Sequence, residues 1–451
     1  MNEPNAPAPT PNLASLQRAA QSSTLKMFLI GALCLLLMIP AIWINSLVSE
    51  RKSYRDTAAQ EVQNMWGGPQ VIGTPLLVVP YPTTCHSVGT ETICESYARF
   101  YPDQLSMNGD FPSSERARGI YKIPLFRGSL GMDFQFSEPD WEHLGIDSTT
   151  LLWERASIVL YVGDSRGLKS APTITSGDDK IVLNNESMPG KPWSNSMIAR
   201  LHNAQGFVQG HRKMHLDMQL NGSESFLFSP LAREATVTMK SDWASPSFSG
   251  MFLPEQRNIS ASGFEASWRI MSLNHNQPMA WTNYGEDPTP ETVTVGFRQI
   301  TPVDSYSMTE RAIKYVILFI SLTFILCFFA ERLTGTQIHP LQYLLIGISL
   351  LLFYTLLLSL SEWVGFTASY VISTLAISLQ IAFFVRMILR RFRAVWITVG
   401  LLNALYGFLF VLLRLEDMSL LAGSVGLFVI LGALMYISVK FNKTEECKTV
   451  S

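Results

Sequence analysis

The chain has 451 residues, of which 47% are hydrophobic and 16% charged, and a formal net charge of −2. Nothing in that balance supplies the basic face a nucleic-acid partner requires. The averages conceal a division: apolar residues gather in one run near the start and in a dense block toward the end, with a long polar stretch between.

Residues 1–26 are rich in Pro, Ala, Asn and Ser and read as a disordered cytoplasmic tail. Residues 27–48 carry no charged side chain. As a helix they extend roughly 33 Å, enough to cross a hydrocarbon core of about 30 Å. The run is too long for a signal-peptide core, and Ile39 to Ser49 shows no small-residue cleavage site, so it is expected to be an uncleaved anchor, with a bend at Pro40. Residues 49–66 continue the helix as a stalk. Tyr54, Ala58, Val62 and Met65 lie at helical spacing on one side, which predicts packing on a following domain, and Gly67, Gly68 and Pro69 end it.

From Val71 to Ile300 short runs alternate with period two between Gly, Pro, Asn and Asp. Leu216, Met218 and Leu220 alternate, as do Ala235, Val237 and Met239, and Phe264, Ala266, Trp268 and Ile270. Further strands are predicted at Leu76 to Pro80, Tyr97 to Tyr101, Gly119 to Ile123, Met132 to Phe136 and Ile158 to Val162. Residues 49–311 therefore read as a β-rich domain with one or two antiparallel sandwich or barrel cores. Trp243, Phe248, Phe252 and Trp268 are read as core aromatics in preference to a lipid- or partner-facing set. Cys85 and Cys94 flank a short hairpin loop; the alternatives are a disulfide, which an oxidising compartment permits, and two free thiols.

Residues 312–439 read as five more spans, at 312–330, 341–360, 364–385, 394–413 and 418–439, each closed by polar or charged residues. Arg386, Arg390, Arg391 and Arg393 fall between the fourth and fifth of the six spans, and Lys440, Lys443 and Lys448 follow the sixth. The positive-inside rule puts both groups in the cytoplasm, with both termini, including a tail at 440–451, and residues 49–311 outside. Arg51, Lys52 and Arg55 run against that rule, but long domains translocate largely regardless of charge.

Chemistry is sparse. His211 and His215 have the i, i+4 spacing of helical metal ligands, but Lys213 to Leu220 alternates as a strand and no third ligand is near. Val162 to Gly167, reading VGDSRG, lacks the GK[ST] ending of a phosphate loop and predicts a strand and tight turn with Arg166 paired to an acid. No GxSxG or HExxH motif is present. The span interiors hold neutral polar groups such as Ser349, Thr355, Gln380 and Asn403, which demotes ion-coupled transport. Gly347, Gly400, Gly407, Gly423, Gly426 and Gly432 are expected to mark close helix packing. No catalytic, cofactor-binding or metal site is predicted.

Several longer strings are specific: ERKSYR (50–55), GPQ (68–70), PLLVVP (75–80), VGDSRG (162–167), PSFSGMFLP (246–254), GFEASW (263–268), TERAIKY (309–315) and HPLQYLLIGISLLLFYTLLLSLSE (339–362). On these, from about Glu50 to about Gly365, the chain resembles the CreD family of bacterial inner-membrane proteins, called cell envelope integrity proteins. The resemblance implies a multi-pass protein of the Gram-negative inner membrane with a periplasmic domain, linked to a two-component regulatory system, envelope maintenance and β-lactam tolerance. It implies no catalytic residues and no cofactor. The leading expectation is a non-enzymatic envelope protein whose partners are the lipid bilayer and an unidentified envelope or membrane protein. A transporter or lipid-handling subunit, with a groove lined by Tyr354, Gln380 and Asn403, is the second reading, and an envelope hydrolase the third.

Overall fold

The first apolar run and the polar stretch after it form one helix, α1 (Ser23–Trp66), with Pro40 inside it. The structure, a computed structural model, describes residues 23–87, 90–186, 190–282, 287–300, 304–334, 336–389, 392–415, 421–426, 428–432 and 435. It divides into two units: Met1–Tyr54 with Val303–Ser451, and Arg55–Pro302.

Gly67 ends α1. Its amide still donates to Gln63 O at 2.9 Å, but its φ of +126° lies in the region that an L side chain rarely adopts. The expected apolar face of the stalk is only partly covered: Ala58 and Val62 are half-buried, whereas Tyr54 and Met65 are exposed. What the last turns present to the sheets is polar, with Glu61 held by Arg118 at 2.9 Å and Asn64 Oδ1 by Arg166 at 3.2 Å.

The second unit carries three sheets. A four-stranded sheet has the order Gln70–Gly73, Ser225–Ser229, Val295–Gln299, Pro246–Gly250, its first pair parallel. A five-stranded sheet runs Ser196–Arg200, Ser157–Tyr161, Leu76–Ser87, Thr90–Phe100, Ala280–Trp281. The largest has nine strands. Its spatial order is Gln256–Ser260, Gly263–Met271, Glu234–Ser241, Gln104–Asp110, Tyr121–Gln135, Met214–Ser223, Thr173–Ser176, Asp179–Val182, with Ser113–Arg118 pairing on Tyr121–Gln135. One short helix, α2 (Ala204–Gln209), lies among them.

Period-two alternation becomes burial here. Leu216, Met218 and Leu220, then Ala235, Val237 and Met239, then Phe264, Ala266, Trp268 and Ile270 all point into one core shared by the sheets. Phe111, Phe126, Phe226, Phe264 and Phe297 meet at its centre, with Phe111 and Phe226 ring centroids 4.4 Å apart. Trp268 is fully buried, and Trp243, Phe248 and Phe252 pack partly buried against the same core.

Two predicted strands, Gly119 to Ile123 and Met132 to Phe136, are parts of a single strand, Tyr121–Gln135. Pro124, Gly128 and Gly131 look like breaks in the sequence, but Pro124 pairs with Glu115 of the short flanking strand. The glycines are close-approach positions: a Cβ on Gly128 would meet Phe111 at 3.1 Å, and one on Gly131 would meet the His215 ring at 3.3 Å.

In the first unit, α3 (Ser305–Lys314) and α4 (Val316–Thr334) occupy the place of the expected span at 312–330. They are bent by 49° at Tyr315, whose amide reaches back to Ala312 O and Ile313 O. The amphipathic α3 ends in Arg311 and Lys314, whereas α4 is apolar, so the bend separates two kinds of helix surface. Three further helices follow: α5 (Pro340–Val364), α6 (Phe366–Leu389) and α7 (Phe392–Arg414). Among the described residues, four helices are long and apolar enough to cross a membrane, and the bent α3–α4 pair makes a fifth span if it counts as one. The expected sixth span, 418–439, is described only in part; the tail at 440–451 and residues 1–22 of the tail expected at 1–26 lie outside the described residues, whereas residues 23–26 of that tail belong to α1. Only helical residues 421–426, 428–432 and 435 represent that span.

Within this unit Lys26 is ion-paired with Glu331, whose other carboxylate oxygen accepts from Tyr343 Oη at 3.2 Å. These contacts tie α1, α4 and α5 together at one end. The span glycines divide: Gly347 is pressed by Leu37 and Phe324, and Gly426 by Phe408, but Gly400, Gly407 and Gly432 have open space where a Cβ would lie. Close packing therefore accounts for some of these glycines and not for the others.

A Cβ on Gly67 would stand 2.8 Å from Asn221 O and 2.9 Å from Gly167 Cα, both backbone atoms, at a φ already unfavourable for alanine. Gly67→Ala is expected to destabilise by about 3 kcal/mol, whereas Gly119→Ala, at φ +60° with nothing within 4 Å, is expected to cost roughly 1 kcal/mol. Melting of the full-length protein in detergent measures both, and equal losses would contradict this account of the turn.

Candidate functional site

The turn after α1 is held by an unusual number of specific contacts. Gly68 N donates to Asp164 Oδ2 at 2.9 Å, Ser223 Oγ donates to Gly67 O at 2.9 Å, and Ser223 N donates to Gly68 O at 3.2 Å. One side is formed by Gly163 to Gly167, where Asp164 begins a short 3-10 turn by accepting from Arg166 N at 3.1 Å. The Arg166 guanidinium closes on the same carboxylate through Nε at 2.8 Å and Nη2 at 2.9 Å. The strand, tight turn and Arg–Asp pair expected from VGDSRG are all present. Beside them opens a cleft of about 590 Å³, bounded by Gly68, Asp164, Arg166, Asn185, Asn195 and Ser196 among others.

The side chain of Asp164 is only 13% exposed. Its hydrogen bond from Arg166 is the main cause that holds its pKa below the usual carboxylate range, against the opposing effect of burial, with the Gly68 amide assisting.

Trp66, the last residue of α1, sits on the other side of this turn. Arg116, Arg127 and Lys169 approach its ring, with cationic atoms 5.0, 5.7 and 5.3 Å from the ring centroid. Arg116 lies on Ser113–Arg118 and Arg127 on Tyr121–Gln135, where Arg127 pairs with Asn221; Lys169 follows the 3-10 turn and donates its amide to Gln219 O. Sequence reasoning missed this group. Trp66 and Lys169 are 103 residues apart in the sequence, and only strand register and the 3-10 turn gather the group.

The histidines do not form a site together. His211 lies after α2 at φ +47° with its Nδ1 3.2 Å from Ser137 Oγ, while His215 is on a strand with Nδ1 2.7 Å from Asp133 and Nε2 3.2 Å from Asp217. The hydrogen bond to Asp133 is the leading cause that raises the His215 pKa, so the imidazolium is favoured. Among the described residues no group of three or more His, Cys, Asp or Glu side chains is placed to hold a metal ion.

Cys85 and Cys94 lie on the paired strands of the long hairpin, Cα atoms 5.7 Å apart, and are joined by a disulfide. In the helical unit Tyr354 is buried, Gln380 is on an exposed helix face, and Asn403 donates to Val399 O within its own helix and accepts from Ser378.

Because the Asp164 pKa is depressed on folding, its contribution is complete above the ordinary aspartate value of about 3.9 and is lost as pH falls through the folded value. Asp164→Asn is expected to lower the melting temperature at neutral pH, by the equivalent of about 2 kcal/mol for lost charge-assisted hydrogen bonds. The gap from wild type should narrow only in acid; a gap that widens in acid would contradict the assigned cause.

The family model described as "Inner membrane protein CreD" matches residues 22–443. The chain is 31% identical over 418 residues to "Inner membrane protein CreD" of Escherichia coli (strain K12), covering 91% of each chain. With a match across nearly its whole length, and with apolar helices on either side of a strand-rich unit, the chain belongs to the CreD family of inner membrane proteins.

Proposed function

We propose that the chain is a multi-pass inner-membrane protein with residues 49–311 in the periplasm, contributing to envelope integrity and the response to β-lactam stress by binding and not by catalysis. The observation that carries this reading is the insertion of a strand-rich unit between apolar helices in a chain of this family. Orientation is supported by Arg386 in the last turn of α6, Arg393 in the first turn of α7, and Arg390 and Arg391 between them in the sequence. A disulfide in the strand-rich unit suits an oxidising compartment. Binding is favoured over catalysis by the chemistry of the Asp164 turn. Its carboxylate is committed to Arg166 and Gly68 and is not paired with a nucleophile.

A cysteine replacing the exposed Arg257 should react with a membrane-impermeant thiol reagent in cells whose outer membrane has been opened, whereas one replacing Arg386 should react only after the inner membrane is permeabilised. The reverse pattern would overturn the orientation. Thiols trapped in growing cells should show Cys85 and Cys94 oxidised. Removal of the protein should alter β-lactam susceptibility, and restoring it should reverse the change; unchanged susceptibility and envelope permeability would overturn the envelope role.

A further inference from the structure

Three cations stand around one indole ring at the end of α1, and their charge exceeds what the local structure uses. A helix C-terminus presents the equivalent of about half a negative charge, and α1 has no basic residue in its last turn to offset it. Arg116, Arg127 and Lys169 can serve that end, but together they supply several times the charge required. The nearby carboxylates are already taken: Asp164 by Arg166 and Glu61 by Arg118. Among the described residues, no carboxylate lies within ion-pair distance of Arg116, Arg127 or Lys169, although each is solvent-exposed.

A second observation is independent of charge. The indole Nε1 of Trp66 is buried and has no hydrogen-bond partner, and neither does Gln70 Oε1 or Asn221 Oδ1. Gln70 is 1% exposed and Asn221 4%. These residues flank the same turn, for the Asn221 backbone packs on Gly67 and Gly167, and the Gln70 amide abuts Gly167. An unsatisfied buried polar group costs about 1–3 kcal/mol, so a ligand or water that supplies the missing partner is favoured beside this turn. An indole N–H donates only, which calls for an acceptor oxygen. Gln70 Nε2 already donates to Gly68 O at 3.4 Å, so the Gln70 and Asn221 oxygens stand as acceptors and the indole N–H is the donor of these three groups that an anion can use.

We propose that this seat of α1 is an anion site for a phosphate group, carried either by a soluble phosphate ester or by a lipid headgroup. Two guanidiniums and an ammonium match a group with several acceptor oxygens and up to two negative charges better than they match a single carboxylate. The arrangement differs from a phosphate loop, in which backbone amides at a helix N-terminus do the binding; here side-chain cations collect at a helix C-terminus.

The test uses the full-length protein in an uncharged detergent, titrated with inorganic phosphate and glycerol 3-phosphate by calorimetry. Separately, it is placed in nanodiscs of phosphatidylcholine with or without phosphatidylglycerol, and its melting temperature is measured. Saturable binding of a soluble phosphate, or stabilisation that depends on phosphatidylglycerol, supports the site and identifies the source of the phosphate. Arg116→Gln, Arg127→Gln and Lys169→Gln should each weaken binding on the order of tenfold, and Arg257→Gln should leave it unchanged. Lys169→Arg keeps the charge and should retain binding even if Lys169→Gln melts early, which separates binding from a purely structural clamp. Absence of binding by wild type to every probe, or full binding by the triple Gln variant, would overturn the proposal. Either failure leaves the membrane orientation proposed above untouched.

Discussion

Hydrocarbon cannot hydrogen-bond an amide, so the apolar residues of α1 must satisfy their backbone within the helix, and the same helical pairing then continues through polar residues as far as Trp66. The Gly67–Gly68–Pro69 turn converts that helix into a strand over three residues. The strand that follows, Gln70–Gly73, opens the four-stranded sheet by pairing in parallel with Ser225–Ser229. Parallel pairing needs a long crossover, and the intervening chain supplies four strands of the five-stranded sheet and six of the nine-stranded one on the way. The place where α1 stops therefore sets where the strand-rich unit begins.

Charge at that place is arranged in pairs and a surplus. Asp164 and Arg166 neutralise one another while holding the turn, as Glu61 and Arg118 do along the last helical turns. Of these, the exposed Glu61–Arg118 pair contributes little stability, whereas the largely buried Asp164 stabilises the turn through its hydrogen bonds. The larger effect of both pairs is to occupy the local carboxylates, so that among the described residues Arg116, Arg127 and Lys169 face the Trp66 ring with a helix terminus and no paired carboxylate. In the helical unit the logic is reversed: Lys26, Glu331 and Tyr343 form a connected polar group at the helix ends, where such groups are tolerated.

Much of the fold was legible in the sequence because its signals are local. Alternation in 216–220, 235–239 and 264–270 reports a strand with one buried face, and long apolar runs report helices whose environment is lipid. The Asp164–Arg166 turn was legible because its partners are two residues apart. What was not legible depended on distant neighbours. Pro124, Gly128 and Gly131 carry the signature of loops, and pairing with Glu115, Leu220 and Asp217 on other strands makes them strand residues. The bend at Tyr315 falls inside what hydropathy reads as the start of one span. The cluster at Trp66 requires two strand pairings and a turn to be known first, so no window of sequence contains it.

The continuity of α1 is the claim on which the rest stands, and a distance between spin labels at positions 50 and 65 tests it most directly. With Glu50→Cys and Met65→Cys in a background freed of the other reactive thiols, an unbroken helix separates the two sites by roughly 22 Å along its axis. The account expects a single narrow distribution near that value in lipid bilayers. A broad distribution, or one centred far from it, would mean that the helix breaks before Trp66 and would contradict the account.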